Sequence, residues 1–268
     1  NLLFSKSTEK VAAIRKCNGE FWILAHELLS NNFYAYEVTS SGLNTTPVIS
    51  AAGESHGNEL FDAYAARGQM QFSPDGKKVA CAVFGNAGED TVEVLNFDIN
   101  TGVVSDTGSV VIPASRLPVN VYGLEFSPNS ELLYVGGWMT DTLFQFNLSA
   151  GAAADVINSR QAVANCWFSQ LQTGPDNKIY VGNFEHYIGC INDPNIVGAG
   201  CNYTDSVVYL GGRISMGALP TICKYVNDCP TPVEWLTFTG KFQNNAVLLQ
   251  WTTATETSNS HFEIQRSA

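Results

Sequence analysis

The chain has 268 residues, 45% hydrophobic and 15% charged, and Asp plus Glu outnumber Lys plus Arg 25 to 14 for a formal net charge of −11. No stripe of Lys and Arg interleaved with aromatics interrupts that excess, which argues against a reader of phosphate backbones and against adsorption to an anionic bilayer. No apolar run approaches the ~20 residues that a membrane-spanning helix needs, so helical membrane insertion is not expected.

The first recognisable element is Phe21-Trp22-Ile23-Leu24, entered through Cys17-Asn18-Gly19-Glu20 and followed by the alternating run Phe33-Tyr34-Ala35-Tyr36-Glu37-Val38 ending at Gly42. Alternation of apolar and polar residues marks strands with one buried face, and the small polar run with glycine marks a turn. The same pattern returns in Met70–Ala80, Leu124–Val135 and Leu171–Val181, each an apolar strand broken by Ser/Gly-Pro-Asp/Asn and resumed as a second strand. Proline pre-sets φ at the second turn position, Asp or Asn bonds the local backbone at the third, and a glycine or small polar residue takes the left-handed conformation that follows. Downstream of the first two of these come Val94–Gly102 and Leu143–Gly151, again alternating and glycine-terminated.

Pro74, Pro128 and Pro175 stand 54 and 47 residues apart. Repeats of that length built from several short strands are the mark of propeller blades. Four units are countable, at about 9–50, 68–112, 120–158 and 164–210. The expected fold is therefore all-β, a β-propeller over residues 1–226. It is read either as a fragment of a larger propeller, since the chain opens at Asn1 already near strand-like sequence, or as a small four-bladed ring.

After a Pro/Thr-rich linker at 227–232 the character changes. Val233–Phe242 and Ala246–Thr253, followed by Glu256–Arg266, read as the opening strands of a β-sandwich that Ala268 cuts short.

Cys17, Cys81 and Cys166 sit in or beside apolar strands and read as buried thiols. Cys190 and Cys201 bracket one loop and Cys223 and Cys229 another, so both pairs are candidate disulfides of an oxidising compartment. No Cys-x-x-Cys pair exists and the four histidines are scattered, so neither a metal nor any other cofactor is expected.

Candidate sites follow from position within the repeat. Trp138, and Phe184 with Tyr187, come just after the second strand of successive units at matching offsets. They are expected on one face of the propeller as an aromatic rim suited to stacking on sugar rings, against the simpler reading that they pack between blades. Chemistry has a weaker candidate in His56, Glu54 and Glu59, with His26-Glu27 nearby in pattern; two carboxylates and an imidazole folded together supply general acid/base groups. A solvated loop between blades is the simpler reading of that segment, and of Glu185-His186. Gly53-Glu54-Ser55-His56-Gly57 is not flanked by the strand-to-helix unit of a nucleophile elbow. Asp98-Ile99-Asn100-Thr101-Gly102 lacks the further acidic ligands of a calcium loop.

The tail from Val233-Glu234-Trp235-Leu236 through Leu249-Gln250-Trp251-Thr252-Thr253 to Phe262-Glu263-Ile264-Gln265-Arg266 resembles the fibronectin-type-III-like module of proteins exported by the type IX secretion system of Bacteroidota. Phe33–Tyr36, Phe72-Ser73-Pro74-Asp75-Gly76-Lys77, Ile191–Asn195 with Gly198–Tyr203, and Gly211–Ser215 are similar to propellers of gliding-motility-associated surface proteins of that phylum. This resemblance implies a secreted or cell-surface location and a non-catalytic binding or adhesion module, with a protein or glycan ligand at the propeller face. The Pro-Asp turns also resemble those of lactonase propellers, so a lactonase-like hydrolase is the alternative.

Overall fold

The computed structural model describes residues 3–57, 64, 66–86, 89–138, 141–165, 170–217, 219–226, 233–243 and 246–256. The chain divides into two units, Asn1–Asn227 and Asp228–Ala268.

The first unit is a four-bladed β-propeller. Blade 1 holds β1 (Ser7–Arg15), β2 (Phe21–Glu27) and β3 (Asn32–Thr39), with β4 (Gly42–Leu43) and β5 (Val48–Ala51) both pairing with β3. Blade 2 is β6 (Met70–Phe72), β7 (Lys78–Asn86), β8 (Glu89–Asp98) and β9 (Val103–Pro113). Blade 3 is β10 (Val121–Phe126), β11 (Leu132–Gly137), β12 (Leu143–Asn147) and β13 (Gln161–Ala164). Blade 4 is β14 (Leu171–Thr173), β15 (Ile179–Val181), β16 (Tyr187–Ile191) and β17 (Tyr203–Tyr209). Blades 2 to 4 are antiparallel meanders in sequence order. The third unit extends further than expected: after a short helix, α1 (Ala153–Asn158), its outer strand β13 reaches Ala164.

The turns have the conformation that their residues dictate. In blade 2 the Ser73 hydroxyl donates to Asp75 (2.6 Å) and accepts from the Lys78 amide (2.9 Å), and Ser127 does the same with Asn129 and Leu132 in blade 3. The residue after each Asp or Asn takes a positive φ: Gly76 at 70°, Ser130 at 64° and Asn177 at 60°.

Apolar side chains fill three interblade layers. Ile14, Leu24, Phe33 and Phe72 lie between blades 1 and 2, Val92, Leu124, Phe126 and Phe146 between 2 and 3, and Leu132, Tyr134, Ile179 and Ile191 between 3 and 4. The join from blade 4 back to blade 1 is built differently. Gly217 and 219–222 run beside β14, with the Gly217 carbonyl accepting from Gln170 N–H and the Gln172 side chain accepting from Ile222 N–H. The strap then enters β18 (Lys224–Tyr225), which pairs in parallel with β1. On the axis, Gln69 accepts from the amides of Leu124 and Leu171, while buried Glu125 accepts from Lys224 Nζ (2.6 Å) and the Thr173 amide (2.8 Å). These polar side chains fasten the inner strands to one another where no apolar layer does.

The expected disulfides are not formed: Cys190, Cys201 and Cys223 carry free thiols, and Cys229 lies outside the described residues. The loop between Cys190 and Cys201 is held by blade 3 instead. Buried Tyr134 donates its hydroxyl to the Pro194 carbonyl (2.9 Å), and Gln145 donates to Tyr134 and Ile196 and accepts from Gly198 N–H. A cross-link is redundant where three hydrogen bonds already fix the loop and a fourth ties Tyr134 to Gln145. Tyr134→Phe is expected to lower stability by about 1–3 kcal/mol, the usual cost of stranding buried polar groups, read as a shift in the urea midpoint with unchanged slope. Cys17, expected as a buried thiol, is disulfide-bonded, whereas Cys81 is free and fully buried as expected; Cys166 lies outside the described residues.

In the second unit, β19 (Val233–Gln243) and β20 (Ala246–Glu256) form one antiparallel hairpin with Phe238 opposite Trp251 and Phe242 opposite Val247. Of the expected third strand at 256–266, Glu256 ends β20 and the rest lies outside the described residues.

Candidate functional site at the axial mouth

The inner strands β1, β6, β10 and β14 carry their Pro turns, or Cys17-Asn18-Gly19 in blade 1, at one axial end, so the residues that begin them gather at the other. Glu9, Arg67, Phe84, Tyr122 and Trp138 line a cavity of about 330 Å³ there. Glu9 and Tyr122, with Gln170, also border an adjoining polar recess.

Each group has a local reason for its place. Glu9 precedes the buried Lys10 on β1 and accepts from Gly68 N–H (2.8 Å); its own amide donates to the Ala66 carbonyl. The Tyr122 hydroxyl is hydrogen-bonded with Glu9 and Gln170, and burial followed by the Glu9 contact pushes its pKa up to about 12. It therefore remains a neutral donor at physiological pH. The Arg67 guanidinium lies 5.0 Å from the Tyr64 ring centre and 5.7 Å from that of Phe84, held by aromatic faces and exposed to solvent. Trp138 packs at 5.2 Å against both Tyr122 and Phe184, edge-on to the latter.

Trp138 and Phe184 meet across blades 3 and 4, the packing between blades that was the simpler reading of these aromatics, while Trp138 also lines the cavity. Tyr187 packs instead on Tyr209 at 5.0 Å, between β16 and β17. Sequence offsets did not separate these, because Phe184 lies in the loop after β15 and Tyr187, three residues on, opens β16. Glu9, Arg67, Tyr122 and Gln170 were missed; the signal that marks them is position, at or just before the start of an inner strand.

The weaker catalytic candidates do not form a reaction site. His56, expected in a solvated loop, is fully buried between blades 1 and 2, with Nε2 at 2.9 Å from the equally buried Glu93. The loop is drawn inward because Glu93 accepts from Glu54 N–H (2.6 Å) and His56 bonds through its backbone to Leu29 and Ser30. Gly53, at φ 68°, makes this possible, since a Cβ there would fall 2.6 Å from Glu93 Oε1. His26 stacks on His56 with ring centres 3.6 Å apart, and neither His26 nitrogen has a hydrogen-bond partner. Burial, reinforced by Lys10 and His56, holds His26 down to about 2; burial and Lys10 hold His56 well below its ordinary value. Burial raises Glu93 to about 7 and lowers Lys10 to about 8. Both imidazoles are neutral and sealed from substrate. The Glu54 side chain is exposed, Glu59 lies outside the described residues, and the exposed His186 ring is hydrogen-bonded to the Arg213 carbonyl. Among the described residues no three His, Cys, Asp or Glu side chains are grouped to hold a metal.

No family model matches this chain, and no curated protein is similar to it. Solved propeller-like structures are similar at low identity. A Lactobacillus plantarum protein shows 17% identity and a TM-score of 0.45 over 68% of this chain and 50% of its own. The periplasmic gluconolactonase of Pseudomonas aeruginosa shows 12% and 0.45 over 91% and 65%. Kuenenia stuttgartiensis hydrazine synthase shows 12% and 0.45 over 90% and 70%. The chain spans about half the length of the first of these. At these identities and TM-scores the likenesses assign no reaction to this chain.

Proposed function

We propose that the protein is a non-catalytic binding propeller that takes carbohydrate at the axial mouth. The observation that carries this reading is one cavity that combines the Trp138 ring, supported by Tyr122 and Phe184, with a carboxylate at Glu9 and a guanidinium at Arg67. Aromatic faces stack on the C–H faces of sugars, and charged or amide groups in fixed positions bond their hydroxyls. The disulfide at Cys17 supports an extracytoplasmic site of action, as in a secreted or surface protein. The hairpin β19–β20 is consistent with a fibronectin-type-III-like module of exported proteins. A soluble-polysaccharide pull-down tests the reading: wild type is expected to be retained and Trp138→Ala to lose about tenfold or more in affinity, a change of ~1.4 kcal/mol. Equal retention of the two proteins contradicts it.

One observation favours a second reading. Glu9 and Arg67 line the same cavity, where a carboxylate acts as base toward water and a guanidinium stabilises an oxyanion, the chemistry of a lactonase-like hydrolase. Turnover on a lactone and ester panel that Glu9→Gln abolishes would establish that alternative.

A further inference from the structure

The opposite axial end is a second, chemically different site. A cavity of about 510 Å³ opens there, within the ~300–1,000 Å³ range of small-molecule pockets. Its walls include Pro74, Pro128 and Pro175, the turn prolines of blades 2, 3 and 4, facing Ile222, Cys223 and Tyr225 of the strap. The same repeat that makes the hairpins thus presents three pyrrolidine rings to one space. Gln69, Glu125 and Lys224 occupy the axis between this cavity and the mouth.

The lining limits what can bind. Lys224 is the one charged residue of the lining and its charge is already paired to Glu125 at 2.6 Å, while the nearby Arg15 guanidinium lies 5.8 Å from the Tyr225 ring centre, outside the lining. The chain's net charge of −11 further disfavours anions. Proline faces and the exposed Tyr225 ring favour a flat π-system against them. Thr173, on the same wall, has a buried hydroxyl with no hydrogen-bond partner, which suits a single polar function on the ligand.

We infer that the Pro-turn end binds a small neutral aromatic molecule of one or two rings with one hydrogen-bonding group, independently of the mouth. The half-buried free thiol of Cys223 reports occupancy directly.

The test uses the full chain and the neutral probe N-phenyl-1-naphthylamine. Expected is a saturable, single-site rise in fluorescence and, in the same samples, slower alkylation of Cys223 by N-ethylmaleimide, read by peptide mass mapping. Cys223→Trp, which fills the cavity, is expected to weaken binding by about tenfold or more, and Trp138→Ala to leave it unchanged. The alkylation readout needs no substitution, so a misfolded variant does not remove the test. Enhancement that does not saturate, or Cys223 alkylated at the same rate with and without probe, overturns the inference. So does an affinity unchanged in a folded Cys223→Trp protein, which would place the probe on another apolar surface such as the exposed Leu236 and Phe238 of β19.

Discussion

Lys224→Met is expected to destabilise the propeller by about 3–5 kcal/mol, the usual cost of removing one member of a buried ion pair. Glu125 is fully buried and its charge is compensated by Lys224 Nζ and by the amides of Thr173 and Phe126. Without the ammonium the carboxylate keeps two neutral donors and no counter-charge in a site that water does not reach. The same substitution frees β18, which is the parallel partner of β1 and the last step of the strap from blade 4 to blade 1. The loss should therefore be accompanied by increased hydrogen exchange at Ile14 and Arg15. Glu125→Gln combined with Lys224→Met should recover most of the stability, because an amide oxygen still accepts from Thr173 and no lone charge remains. Urea unfolding of wild type and the two variants measures both effects. A Lys224→Met midpoint matching wild type would mean that the pair is solvated in solution.

Acid is expected to weaken the fold through the neutral histidines between blades 1 and 2. An unfolded histidine takes a proton below its ordinary value near 6.5, whereas folded His26 does so only at about 2 and folded His56 also resists. Over that interval the unfolded chain binds more protons, so stability falls as pH falls. Glu93 works in the opposite sense. Its folded value of about 7 exceeds the ordinary 4.5, so the native state holds the extra proton between those values and gains stability as pH drops through them. Lys10, lowered to about 8, is protonated in both states below that value and adds no slope there, and Cys81, raised by burial, stays a thiol. Two histidines against one carboxyl give a shallow loss between pH 6.5 and 4.5 and a steeper one below, where the Glu93 contribution no longer changes. His26→Leu isolates one histidine. Its stability curve should be flatter than wild type, with the difference growing to about 2–3 kcal/mol between pH 6.5 and 4.5, at 1.36 kcal/mol per pH unit. Parallel curves would show that His26 is protonated or open to solvent in the native state.

The local grammar of the fold was legible in the sequence. Pro74-Asp75-Gly76 and its two counterparts specify a turn chemically, and the left-handed φ at Gly76, Ser130 and Asn177 follows from residues next to one another. Alternation within Phe33–Val38 or Leu143–Asn147 likewise reports burial over a few positions. What was not legible acts between blades. Glu125 and Lys224 are 99 residues apart, Gln69 and Leu171 are 102, and no short window contains either relation. His56 was misplaced for the same reason: Gly53–Gly57 has the composition of a surface loop, and only Glu93, 37 residues on, draws it inside. Cysteines bracketing a loop suggested bridges, yet hydrogen bonds from Tyr134 and Gln145 already hold the Cys190–Cys201 loop. At the mouth, Trp138 and Phe184 stood out as aromatics, while Glu9 and Arg67 looked like ordinary surface charges until the blade geometry brought them to one cavity.

The central claim is that ligand is held at the axial mouth by residues from several blades at once. Hydrogen exchange with and without a saturating soluble oligosaccharide from the pull-down panel tests it most directly. Protection is predicted around residues 66–69, 120–122, 138, 170 and 183–185 together, with none at the Pro74, Pro128 and Pro175 turns. Protection confined to one blade, or centred on those turns, would contradict it.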